Sequence, residues 1–161
     1  MRDFEGAEAA LENGRKAIEQ FKAEYLAFQL PYTAAEIARE KGDYSAAADL
    51  FEEAVQKAES SLATQGVDSQ MSLLYGSCAQ MYVLANKPDL AKGVLDHAFE
   101  RDEAEPSLWV AKAMLQNANG NSRMALASLD YALAIWSEAD ADYTHFQDAL
   151  ALREEIVASL N

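Results

Sequence analysis

The chain has 161 residues, with 13 Lys and Arg against 27 Asp and Glu and a net charge of −14. So few cations cannot neutralise a run of phosphates, which excludes nucleic acid and an anionic membrane surface as expected partners. A basic or neutral partner is the electrostatic default, and a basic or amphipathic protein or peptide fits it. Cys78 is the only cysteine, so no intrachain disulfide can form.

In chain order, almost everything reads as helix, because strand-like alternation is absent and β-branched residues are sparse. Residues 1–27 are expected to form one long helix, or two short ones if Asn13-Gly14 is a turn. Pro31 suits a first helical position, and Thr33 with Glu36 has the spacing of a capping box. Gly42 can end that helix in the left-handed conformation, with Asp43 capping the next. Leu62 to Met71 hold an extended helix end and a longer turn around Gly66, with Asp68 or Ser69 capping the helix that carries Met71 to Ala85. Asn86-Lys87-Pro88 is the next break. Pro88 and Pro106 each open a helix, and Gly120-Asn121 repeats the logic of Gly42-Asp43. Residues 140–161 are expected to form a last helix with Phe146, Leu150 and Leu152 turned toward the rest.

Nine alanines stand in register across these elements. They are Ala35, Ala47 and Ala54, then Ala79, Ala91 and Ala98, then Ala113, Ala125 and Ala132, each trio with gaps of twelve and seven residues. The second and third trios are offset by 34. A fixed period of this length implies stacked helix pairs, with each alanine letting two backbones approach. The units are 28–61, 72–105 and 106–139, flanked by 1–27 and 140–161 in a single domain.

These units resemble the tetratricopeptide repeat family. The first carries Gly42-Asp43-Tyr44, Ala47, Phe51, Ala54 and Val55. The second has Tyr75, Ala79 and Tyr82, then Ala91, Leu95, Ala98 and Phe99. The third has Trp109, Ala113, Gly120, Ala125, Leu129, Ala132 and Leu133. Pro31 stands at the first unit's tryptophan position, Cys78 and Lys112 replace a leucine, and Asn86-Lys87-Pro88 replaces a glycine-containing turn. The resemblance implies an all-α, right-handed α-solenoid of antiparallel helix hairpins with capping helices at both ends. It also implies a concave face lined by Gln29, Tyr32, Glu36 and Arg39, by Leu73, Gly76, Gln80 and Val83, and by Ser107, Val110, Met114 and Asn117. Only Arg39 and Asn117 match the cationic and amide set that grips a terminal carboxylate in chaperone-binding members, so that mode is not expected. A helix or extended peptide with apolar anchors is, with Gly76 leaving room for a close approach.

No catalytic constellation is read. His97 and His145 have no ligand-spaced neighbours, and Cys78, on a face expected to be buried, has no base partner in view. Glu52-Glu53, Asp102-Glu103-Glu105 and Asp140-Asp142 read as solvated faces rather than a calcium loop. No metal or cofactor is expected. Trp109 is expected in the core and Trp136 half-exposed. The favoured reading is a non-catalytic protein-interaction module. A small acidic chaperone for a secreted or assembling client stays open, as does a structural piece of a larger regulator or envelope assembly. Self-association through Tyr131 and Trp136 also stays open. No segment reads as a membrane span. Met1-Arg2-Asp3-Phe4-Glu5 does not read as a secretory signal, so a cytoplasmic setting is expected, with the periplasm open if a signal was removed.

Overall fold

The turns explain the architecture. In the computed structural model, which describes residues 3–62, 68–138, 140 and 143–160, the helices are α1 (Phe4–Phe21), α2 (Gln29–Glu40), α3 (Tyr44–Leu62), α4 (Asp68–Leu84), α5 (Pro88–Phe99), α6 (Pro106–Ala118), α7 (Ser122–Ile135) and α8 (Thr144–Ser159). Short 3-10 turns cover Glu24–Leu26 and Trp136–Glu138, and no strand occurs among the described residues. Gly42 (φ +80°) and Gly120 (φ +78°) take the left-handed conformation as expected. In each case the next residue's N–H reaches back to the final turn, Asp43 to the Ala38 carbonyl and Asn121 to that of Gln116. Asn86 does the same job without being glycine, at φ +58°, and Lys87 donates to the Tyr82 carbonyl. Asparagine tolerates this region better than other L-residues. Asn86→Ala should therefore cost about 1 kcal/mol in urea unfolding, while Asn86→Gly should be close to neutral.

Several local expectations need correction. Asn13-Gly14 is not a turn, because α1 runs through it. The break comes at Lys22 (φ +52°), where Ala23 N–H bonds to the Ile18 carbonyl. Pro31 is the third residue of α2, not the first, and Thr33 lies inside the helix, so it forms no capping box with Glu36. The residues just before α2 already turn helically, and Tyr32 N–H bonds to the Phe28 carbonyl. Asp43 does cap α3, accepting from Ala46 N–H at 3.1 Å, whereas Asn121 makes no side-chain cap bond. The turn around Gly66 and the Asp68 and Ser69 side chains lie outside the described residues, as do Asp142 and Asn161.

All nine in-register alanines are buried, none more than 1% exposed. Outside the register, Ala10, Ala17, Ala104, Ala118 and Ala127 are exposed, while Ala48, Ala58, Ala111 and Ala149 are also fully buried. The register thus picks out contact positions without being the full set of them. α2 packs on α3, α3 on α4, and α4 on both α5 and α6; α6 then packs on α7, and α7 on α8. α4 is the central rod. No charged residue occurs between Ser69 and Asn86, and Met71, Leu74, Tyr75, Cys78, Ala79, Met81 and Tyr82 are all buried. Its two tyrosines keep their hydroxyls satisfied on α3: Tyr75 donates to Glu59, and Tyr82 to Glu52 at 2.8 Å. Burial and these carboxylate partners push both phenols well above their ordinary range.

The interior falls into two clusters. The larger is built around Phe51, Leu74, Tyr75, Leu95 and Leu108, the smaller around Val110, Ala113, Leu129, Ala132, Ala149 and Ile156. α8 meets the smaller cluster through Ala149, Leu152 and Ile156. Phe146 and Leu150 are only half-buried, so the face turned inward is rotated from the one expected. Trp109 packs against the smaller cluster but is only partly buried. It is half-buried in an aromatic row between Phe99 (5.1 Å) and Tyr131 (4.4 Å), with the Lys112 ammonium 4.3 Å from its ring centre. Its indole N–H donates to the Glu103 carbonyl.

Candidate functional site

The positions expected on one face come from α2, α4 and α6, and the structure distributes them over three environments. One hollow has a volume of about 580 Å³. Its floor is formed by Gln80, Met81 and Leu84 of α4 with Val110 and Met114 of α6. One rim is the end of α2 with its turn (Arg39, Glu40, Lys41) and the start of α3 (Tyr44), and the other is α8 (Thr144, Asp148, Leu152). Arg39, Gln80, Val110 and Met114 thus share one groove. Gln29, Tyr32 and Leu73 line a second cleft of about 350 Å³ between α2 and α4, together with Phe28, Thr33 and Leu74.

The remaining positions are used within the fold. Gly76 is buried where α4 crosses α6, and a β-carbon there would collide with the Ser107 side chain. The close approach it permits is thus to the neighbouring helix. Ser107 is itself buried, and its carbonyl accepts from the Gln80 side-chain amide at 3.4 Å. Val83 packs on the larger core cluster. Asn117 braces the turn into α7, its side-chain carbonyl accepting from Ser122 Oγ at 2.8 Å.

Glu36 and Arg39 form a half-buried ion pair of 2.8 Å along α2. Burial lifts the Glu36 carboxyl above its ordinary value. Arg39 and then His145 oppose that shift, while Glu40 and Asp148 add to it. Two of those groups, His145 and Asp148, belong to α8, so the last helix faces α2 electrically across the hollow. Tyr32 is also raised, first by burial and then by Glu36. The linkage sign follows: the folded state holds the Glu36 proton more tightly than the unfolded chain does. Its contribution to stability is full below the ordinary value of 4.5 and declines as pH rises from there through the elevated folded value. Glu36→Gln should flatten the stability profile in that window, as read by urea midpoints at successive pH values.

Arg39 and Asn117 are both engaged, by Glu36 and Ser122 respectively, and they do not converge into a grip for a carboxylate. Cys78 is buried, and burial followed by Glu52 and Asp49 pushes its thiol up to about 12. It is held protonated at neutral pH. His97 stands edge-on to the Tyr75 ring, its Nε2 3.7 Å from Glu59. Of the acidic clusters, Glu52 is taken by Tyr82, Asp102 accepts from Ala104 N–H, and Glu105 caps α6 at Ser107 N–H. Among the described residues no three His, Cys, Asp or Glu side chains gather where they could hold a metal ion, and no helix is long and apolar enough to cross a membrane.

The sequence did not point to the α8 rim or to Glu40, Lys41, Tyr44, Met81 and Leu84. The contribution of α2's C-terminal turn was the recoverable part, since Gly42-Asp43 fixes where that helix must end. No protein-family model matches the chain, and no curated protein matches it.

Proposed function

We propose that this chain is a protein-interaction module. Its fold would be the right-handed solenoid of helix hairpins seen in tetratricopeptide repeats, and the groove between α2, α4, α6 and α8 would receive a segment of a partner protein. The observation that carries the reading is the groove's division of labour. Apolar Met81, Leu84, Val110 and Met114 line it beside Gln80, while the charged Arg39, Glu40, Lys41 and Asp148 stand on the walls from α2 and α8. Its volume of about 580 Å³ suits a few anchoring side chains. An amphipathic helix or extended peptide would place those anchors on the floor and its polar residues between the rims. Rims of both signs favour a segment that carries both charges in a fixed orientation.

Surface plasmon resonance of the whole chain against a library of amphipathic peptides tests this. Saturable binding is expected, and Met114→Ala should weaken it about tenfold, the loss of one apolar anchor worth ~1.4 kcal/mol. Absence of binding by every peptide, or binding indifferent to both Met114→Ala and Leu84→Ala, would remove the groove from the proposal.

A further inference from the structure

The walls of the groove carry charges of both signs, but those charges are not equally free. On the α2 side, Arg39 holds Glu36 at 2.8 Å and stands 3.5 Å from Glu40. Lys41 is held by Glu8 of α1 at 2.6 Å, with its ammonium also over the Phe4 ring. Both cations of that wall are therefore engaged by carboxylates of the chain itself. An acidic residue of a partner would have to displace Glu36 or Glu8 to reach them.

The α8 wall is the opposite case. Thr144, Asp148 and Leu152 recur every four residues and so share the side of α8 that lines the hollow. Asp148 is exposed, and among the described residues it makes no hydrogen bond or ion pair. No lysine or arginine stands three or four positions from it, the spacing at which a helix neutralises its own charges. Arg153, the one such cation of α8, is taken by Asp130 of α7 at 2.6 Å. His145, one turn before Asp148, stands against the Tyr143 ring at 5.4 Å.

Two cations are thus set against four carboxylates, Glu8, Glu36, Glu40 and Asp148. The excess is negative, and its unpaired member is Asp148. The same excess is felt across the hollow, where Glu40 and Asp148 add to the burial that lifts the Glu36 carboxyl. The surroundings of Asp148 give the form of the missing cation. Leu152 follows one turn along α8, and Met114 belongs to the floor. A lysine or arginine can lay its stem along such apolar surface while its charged head reaches a carboxylate. The chain's net charge of −14 draws such a segment in from a distance.

We infer, on the reading that this groove is the binding site, that it selects a basic amphipathic segment, with a lysine or arginine of the partner meeting Asp148 beside its apolar anchors. The probes are amphipathic peptides with leucine anchors, each made with lysine, glutamine or glutamate at the flanking positions, and titrated onto the immobilised full chain. The lysine versions should bind about threefold tighter than the glutamine versions, the worth of one solvent-accessible ion pair. The glutamate versions should bind most weakly, and added salt should narrow the gap. Asp148→Asn should erase the preference for lysine over glutamine. Glu154→Gln, at an exposed position of α8 that does not line the hollow, should leave it in place, which separates a local contact from the pull of the overall charge. Binding with no preference for lysine, or a preference that survives Asp148→Asn or falls equally with Glu154→Gln, would overturn the inference while the groove stands. If no version binds, the groove itself falls as a binding site, and the choice of a basic segment with it.

Discussion

Phe51→Ala should lower the stability of the chain by about 3–5 kcal/mol, read as a fall in the denaturant midpoint at constant slope. Phe51 is fully buried on α3 at the centre of the larger core cluster. Its ring also meets Tyr32 of α2 edge-on at 5.7 Å. Truncation removes the transfer free energy of the ring and leaves a void. The neighbours Ala35, Ala47 and Ala54, already at 0% exposure, are too short to fill it. Because Tyr32 loses its support, the cleft between α2 and α4 should also change shape. Phe51→Leu, which keeps most of the volume, should recover a large share of the loss. A loss below 1 kcal/mol for Phe51→Ala would mean that α2 and α3 can close over the gap, contrary to close packing at the alanine crossings.

Gly76→Val is the second large effect, expected at about 1–3 kcal/mol from overpacking. A β-carbon at 76 would meet the Ser107 side chain and lie 3.0 Å from its main-chain carbonyl carbon. The side chain can rotate, but the main chain of α6 cannot yield without moving the helix. α6 carries Val110 and Met114 into the groove floor, so the substitution should also alter peptide capture, which separates it from a purely local defect. Ser107→Gly made in the Gly76→Ala background should relieve part of the strain, a non-additivity visible in a double-mutant cycle. Strict additivity of the two changes would show that the two residues do not press on one another.

The contact positions of this fold were legible in the sequence because they rest on a residue type with one role at a fixed offset. Ala79, Ala91 and Ala98 and their counterparts could be found by counting. Turn positions were legible where glycine performs them and where Pro88 marks the break after Asn86. Lys22 occupies the same left-handed region, but lysine does not announce it, so the end of α1 within residues 1–27 went unmarked while Asn13-Gly14 stood as an alternative break. Pro31 and Thr33 were misplaced because proline is tolerated anywhere in a first helical turn and the 3-10 turn before α2 leaves no sharp start.

The groove was half legible. Its α2, α4 and α6 walls follow from the repeat offset. The curvature that brings α8 opposite α2 has no periodic signature, since it depends on how each pair of helices crosses. The orientation of α8 was hidden for a related reason. Phe146, Leu150 and Val157 share one side of the helix, while Ala149, Leu152 and Ile156, which meet the smaller cluster, lie roughly a quarter-turn away, so two apolar sets compete.

The division of the interior has a bearing on how the molecule opens. α6 alone serves both clusters, giving Leu108 and Ala111 to one side and Val110 and Ala113 to the other. The last two helices can therefore detach while the first cluster keeps its apolar contacts, leaving α6 as an intact wall with one bare face. Amide exchange would then fall into tiers, with the protons of α7 and α8 escaping through a partial opening and those of α3 and α4 waiting for complete unfolding.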